Sequence, residues 1–175
     1  MRFYFALLFY FLLFGMLQGQ GTQLLRQPSL SYSHIAFVYA NDLWQVDRAG
    51  GQAVRLTTNE GSESNPHYSD DGQWIAFTGE YDGNTDVYII PSAGGSPERL
   101  TWHPYGDMVQ GWSPDGTVIF RSNRHGVPSI PSTLYEVSTT GGLPTAIPVQ
   151  RSAYGEYSGD GEYLAYTPIV SWDQE

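Results

Sequence analysis

The sequence contains no cysteine and no lysine. Lack of cysteine excludes disulfides and rules out a lipid-modified cysteine at a mature amino-terminus. Lack of lysine excludes a Schiff base or a Ser-Lys pair within these residues. All eight basic residues are arginine, against 18 acidic ones, and the formal net charge is −10. A nucleic-acid groove requires a basic stripe, and the arginines form none, so nucleic acid is excluded as a partner. Long apolar runs are equally scarce, with one at the amino-terminus and no second.

That run, Phe3 to Leu17, follows Arg2 and leads to the small residues Gly19 and Gly21. The pattern is that of a secretory signal peptide over residues 1–21, cleaved near Gly19 to Gly21. It falls short of the roughly 18 apolar residues a spanning helix needs. The expectation is therefore export to a periplasmic or extracellular location, with no stable membrane insertion after cleavage.

What the rest of the chain has in quantity is turn punctuation at a fixed interval. Asp-Gly falls at Asp71-Gly72, Asp115-Gly116 and Asp160-Gly161, spaced by 44 and 45 residues. Gly-Gly falls at Gly50-Gly51, Gly94-Gly95 and Gly141-Gly142, spaced by 44 and 47 residues. Between these markers lie apolar runs of strand length: Trp74 to Phe77, Asp86 to Ile90 and Glu98 to Leu100, with a short fourth strand at Tyr68. Blade one repeats this with Ile35 to Tyr39, Leu43 to Val46 and Val54 to Thr57, and blade three with Val118 to Phe120, Leu134 to Val137 and Thr145 to Val149. An Asp-Gly pair suits a type I′ hairpin, so Asp71-Gly72 is expected to adopt one. Four short strands per period of about 45 residues is the signature of a β-propeller blade. Such a sheet cannot bury both faces alone, so blades must stack around an axis.

The fold class is therefore all-β: a partial β-propeller over residues 22–175, with four-stranded antiparallel blades at about 28–60, 65–103 and 107–150 and a fourth opening at 155–175. Roughly 155 residues remain after the signal, enough for three blades of about 45 residues and the start of another. Closed propellers have about four to eight blades, so the expectation is part of a longer ring. Phe37, Phe77, Phe120 and Tyr166 recur in the second strands, and Trp44, Tyr88 and Tyr135 in the third, as expected of aromatic packing between sheets. Blade three is one residue shorter after Asp-Gly, which leaves its strand register open. Its middle loop, Asn123 to Thr133, is the longest insertion.

Catalytic patterns are missing where they can be checked. Gly94-Gly95-Ser96-Pro97-Glu98 and Gly111-Trp112-Ser113-Pro114-Asp115 approach a nucleophile elbow but lack the final glycine. Asp82-Gly83-Asn84-Thr85-Asp86 opens like a calcium loop, yet Val87 and Ala93 stand where glycine and glutamate are required. His34, His67, His103 and His125 have no metal-ligand spacing. The repeated Asp71, Asp115 and Asp160 are explained by Asx hydrogen bonds within turns. No catalytic, cofactor-binding or metal residue is assigned.

The units Tyr68-Ser69-Asp70-Asp71-Gly72-Gln73-Trp74-Ile75-Ala76-Phe77 and Trp112-Ser113-Pro114-Asp115-Gly116 resemble the SPDG-type propeller repeat of TolB, tricorn proteases and prolyl-oligopeptidase relatives. With Leu25-Arg26-Gln27-Pro28-Ser29-Leu30-Ser31, Asp107-Met108-Val109-Gln110-Gly111 and Leu164-Ala165-Tyr166-Thr167-Pro168, the chain resembles the amino-terminal propeller of secreted bacterial tricorn-protease homologues. The resemblance implies a six-bladed propeller that scaffolds and gates access of peptides or unfolded polypeptide to a serine-peptidase core on later residues, and it leaves room for a homo-oligomer. It carries no catalytic residue onto this chain. The alternative is a non-enzymatic periplasmic interaction propeller of the TolB kind. That reading is disfavoured because a TolB-like chain places a separate α/β domain before its first blade.

Overall fold

The computed structural model describes residues 24–124 and 132–169. The signal-peptide assignment lies outside these residues, as do His125, Pro128 and Pro131 of the blade-three loop. Three four-stranded sheets follow one another in chain order. The first holds β1 (Arg26–Leu30), β2 (His34–Tyr39), β3 (Asp42–Asp47) and β4 (Val54–Arg55). The second holds β5 (Ser62–Tyr68), β6 (Trp74–Tyr81), β7 (Asn84–Pro91) and β8 (Glu98–Arg99). The third holds β9 (Asp107–Trp112), β10 (Val118–Ser122), β11 (Thr133–Val137) and β12 (Thr145–Ala146), and β13 (Ser152–Tyr157) pairs with β14 (Leu164–Pro168) in a two-stranded fourth. Each strand is antiparallel to its neighbours. Among the described residues no helix is long and apolar enough to cross a membrane.

Strand-length apolar runs form here because a middle sheet is buried on both faces. Side chains alternate across a strand, and in β6 one set, Ile75 and Phe77, joins Ala36, Val38 and Leu43 of the first sheet. The other set, Ala76 with Val87 and Ile89 of β7, joins Val109, Val118 and Phe120 of the third. Ile119, Leu134 and Ile147 then pack toward Tyr157 and Leu164 of the fourth. The expected aromatic register holds. Phe37 opposes Trp44, Phe77 opposes Tyr88 and Phe120 opposes Tyr135. The last two pairs are stacked, each with ring centroids 5.7 Å apart.

Two local expectations are corrected. Asp71-Gly72 is not a type I′ hairpin: Gly72 alone has positive φ, and its N–H donates to the Ser69 carbonyl at 2.8 Å. Four residues separate the bonded Ser69 and Trp74, so a type I turn closing on a left-handed glycine fits where a two-residue turn cannot. Paired positive φ values occur instead at Asp82-Gly83 (55° and 79°) and Ala40-Asn41 (52° and 69°), each between directly paired residues. The strand at Tyr68 is not short either, since β5 runs seven residues from Ser62.

The register of blade three also resolves. Ser113 and Thr117 bond across Pro114 to Gly116, so the missing residue is the counterpart of Gln73, and the turn absorbs the deletion. Gln73 supplies the N–H that the Asp71 carboxylate accepts at 2.9 Å. The Ser113 Oγ accepts the Thr117 N–H at 3.1 Å, as the Ser69 and Ser158 Oγ accept the Trp74 and Tyr163 N–H at 3.0 Å in the other two turns. Asx capping is thus real at Asp71 and Asp160. The Asp115 turn keeps the serine bond without the Asx cap.

Candidate functional site

The first strands of the sheets stand side by side, β1 against β5, β5 against β9 and β9 against β13. They therefore converge on the side where a propeller has its axis. Each carries a one-residue irregularity against its second strand, between Arg26 and Ser29, Ser64 and His67, Val109 and Gly111, and Ser152 and Gly155. A bulge leaves an extra residue unpaired and re-aims its side chain. In the first two sheets it is Gln27 (φ 51°) and Asn65 (φ 50°), each followed by proline. Proline has no N–H to give to a ladder, so the irregularity falls where the sequence places it.

Along β5, β9 and β13 runs a cleft of about 510 Å³, lined by Asn65, His67, Gln110, Tyr154, Glu156 and Arg121 of β10, among others. It shares His67, Gln110 and Glu156 with a second hollow of about 470 Å³ that extends to Trp112, Asp70 and Asp160. His67 is held toward its neutral form because burial penalises the imidazolium, with the Glu156 charge opposing. Its carbonyl accepts the Trp112 indole N–H at 2.9 Å, locking β5 to β9. The Arg121 guanidinium lies 5.3 Å from the Tyr154 ring centre and 3.1 Å from Met108 Sδ. Gly155 forms part of the cleft floor, where a Cβ would stand 2.4 Å from Leu134 Cδ1.

A second polar layer ties the third strand to the fourth in each of the first two sheets. Asp42 accepts Arg55 at 2.7 Å and Asp86 accepts Arg99 at 2.6 Å. Each of these arginines also donates Nε to a threonine carbonyl two residues on, Thr57 or Thr101, at 2.7 Å. Asp42 and Asp86, like Arg55 and Arg99, are 44 residues apart. This repeat could have been read from the Arg-Leu-Thr triplets, and sequence reasoning missed it. In the third sheet Asp107 at the start of β9 takes Arg124 instead, at 2.6 Å.

Glu63, the second residue of β5, ties the segment that follows the first sheet to the second sheet. It accepts the Thr57 hydroxyl at 2.9 Å and the Tyr81 phenol at 2.5 Å, and it is 2% exposed. Burial raises its carboxyl above the ordinary 4.5, more than the two hydroxyl donors lower it, and the nearby Asp42 adds to the rise. A raised folded value means that stability from this group is present in full below 4.5 and is lost as pH climbs through the raised value. Glu63→Gln keeps the shape and cannot ionise. Its stability relative to the unsubstituted protein is expected to increase from pH 4 to pH 7. Urea unfolding at several pH values checks this, and two parallel stability curves would refute it.

The other residues singled out in the sequence do not assemble into a catalytic group. Ser113 is 5% exposed and its hydroxyl is tied to Thr117 at 2.7 Å. Ser96 is exposed in the turn between β7 and β8. In the calcium-like loop, Asp86 is fully buried and its carboxylate is committed to Arg99. His34 bonds Ser33 and His103 stacks on Tyr105, which leaves His67 alone in the cleft among the described histidines.

Sheets that stack face to face with their first strands toward an axis define a β-propeller assembly. The sequence matches the tricorn protease N-terminal beta propeller domain over residues 22–175, and the chain belongs to that family. It is 33% identical over 106 residues to tricorn protease homolog 1 of Streptomyces coelicolor, covering 60% of this chain and 10% of that one. Among solved structures, the tricorn protease superposes with a TM-score of 0.70 at 24% identity, over 79% of this chain and 14% of that one. A putative TolB from Agrobacterium tumefaciens gives 0.69 at 23% identity, over 82% and 53%. The chain thus spans about a tenth of the length of the tricorn homologue and about half that of the TolB structure.

Proposed function

We propose that this chain is the access propeller of an exported tricorn-like serine peptidase, scaffolding and gating the passage of peptides to a catalytic core outside these residues. The observation that carries the reading is the family match over residues 22–175 together with a polar cleft on the inner strands. Ser113 supports this division of labour, since its hydroxyl is spent on a turn. The signal-like segment at residues 1–21 supports export, to a periplasmic or extracellular site. The test is hydrolysis of peptides of graded length by the full-length protein and by a form lacking residues 22–175. Loss of length discrimination, with short-peptide turnover retained, is expected on deletion. Unchanged length dependence would overturn gating.

The TolB likeness favours a second reading, a non-enzymatic interaction propeller. Under it the full-length protein would retain a protein partner on affinity isolation and hydrolyse no peptide.

A further inference from the structure

We infer that the inner-strand cleft binds the main chain of an extended peptide through side-chain amides, with Asn65 donating and Gln110 accepting, independently of peptide sequence. This rests on the gateway reading above and names the chemistry by which the passage recognises its cargo.

The orientation of each amide is dictated by backbone partners. The Asn65 N–H donates to Gln27 Oε1 at 3.1 Å, which turns Gln27 Nε2 toward Asn65 Oδ1 at 2.9 Å. With Oδ1 engaged, the free group of Asn65 is its Nδ2, which has no acceptor among the described residues. Gln110 is turned the opposite way. Its Nε2 donates to the carbonyls of Val109 at 2.9 Å and Met108 at 3.3 Å, so its Oε1 is left as an acceptor without a donor among the described residues. Both residues line the same cleft of about 510 Å³, which is within the range of roughly 300–1,000 Å³ seen for ligand sites.

A donor and an acceptor that are both uncharged match the C=O and N–H groups every peptide unit repeats. The flanking charges, Arg121 and Glu156, are of opposite sign, so the cleft does not select by ligand charge. Both amide residues occupy the irregular first strands. As edge strands, β5 and β9 pair with the second strand alone, and the bulged Asn65 and Gln110 are displaced even from that ladder. Gln27 is a positioning residue, since it reaches the cleft through Asn65 only.

The test uses the full-length protein and two neutral fluorescein-labelled decapeptides of different sequence, with binding read by anisotropy in the cold and peptide integrity checked by mass spectrometry. Asn65→Asp keeps the acceptor for Gln27 and deletes the outward donor. Gln110→Lys keeps a donor for the two carbonyls and deletes the outward acceptor. Each is expected to weaken both peptides by about five- to tenfold, the worth of one hydrogen bond of about 1 kcal/mol or slightly more. Thermal unfolding within a few degrees of the unsubstituted protein shows that both variants fold. Unchanged affinity in folded variants would overturn the amide assignment while leaving the gateway reading intact. So would a loss confined to one decapeptide. A neutral oligosaccharide that bound with the same sensitivity would replace the peptide as ligand. Failure of the unsubstituted protein to bind either peptide would defeat the gateway reading itself.

Discussion

Arg99→Ala is expected to cost about 3–5 kcal/mol of folding stability, because it strands a buried carboxylate. Asp86 is fully buried and Arg99 is its counter-charge at 2.6 Å. Burial already pushes the Asp86 carboxyl up, with Arg99 as the main influence holding it down. Removing the arginine leaves the desolvation without its compensation. The informative partner experiment is the double variant. In the third sheet the register positions of Asp86 and Arg99 are held by Thr133 and Ala146: Ala146 opposes Tyr135 as Arg99 opposes Tyr88. Thr133 opposes Ser122 as Asp86 opposes Gly79. The third sheet thus does without a pair at these two positions, its buried carboxylate being Asp107, which Arg124 holds at 2.6 Å. Asp86→Thr added to Arg99→Ala is expected to recover most of the loss, since replacing both partners of a buried pair costs far less than breaking it. Denaturant unfolding of the full-length protein measures all three variants. A double variant as unstable as the two single losses added together would show that the arginine acts chiefly by packing. The equivalent Arg55 pair is more exposed, at 43% and 12% of the two side chains, and Arg55→Ala is expected to cost less.

Phe77→Ala is the second large effect, at about 3–5 kcal/mol. Phe77 is fully buried, stacked on Tyr88, and packed with Ala36, Val38 and Leu43 of the preceding sheet. Its loss opens a cavity between two stacked sheets. Because the backbones on both sides are fixed by their ladders, the void closes little. Leu143, exposed to 96%, is the control, and Leu143→Ala should stay within about 0.5 kcal/mol. Equal effects at the two positions would refute face-to-face stacking as the source of stability.

The elements that were legible in the sequence are those whose residues face a neighbouring sheet. Ile75 to Phe77 and Val87 to Ile90 read as strands because every side chain in them is buried. β5 was nearly invisible. Ser62 to Tyr68 has no apolar alternation and contains Pro66, since this strand faces the axis and carries a bulge. The same reason hid the cleft: Asn65 and Arg121 belong to no motif, and they meet Gln110 only when three sheets stack. Asp42 with Arg55 and Asp86 with Arg99 were readable in principle from their shared interval. Glu63 was not, because its partners come from separate segments, Thr57 after β4 and Tyr81 at the end of β6.

The sequence by itself determined the repeat and the order of strands within each sheet. Both depend on local turn chemistry and alternating burial, and these act over a few residues. Which Asp-Gly pair takes the two-residue turn, how blade three absorbs its deletion, and which amides face the axis were decided only in three dimensions. Each of those outcomes depends on a hydrogen-bond partner or a ladder position that distant segments supply.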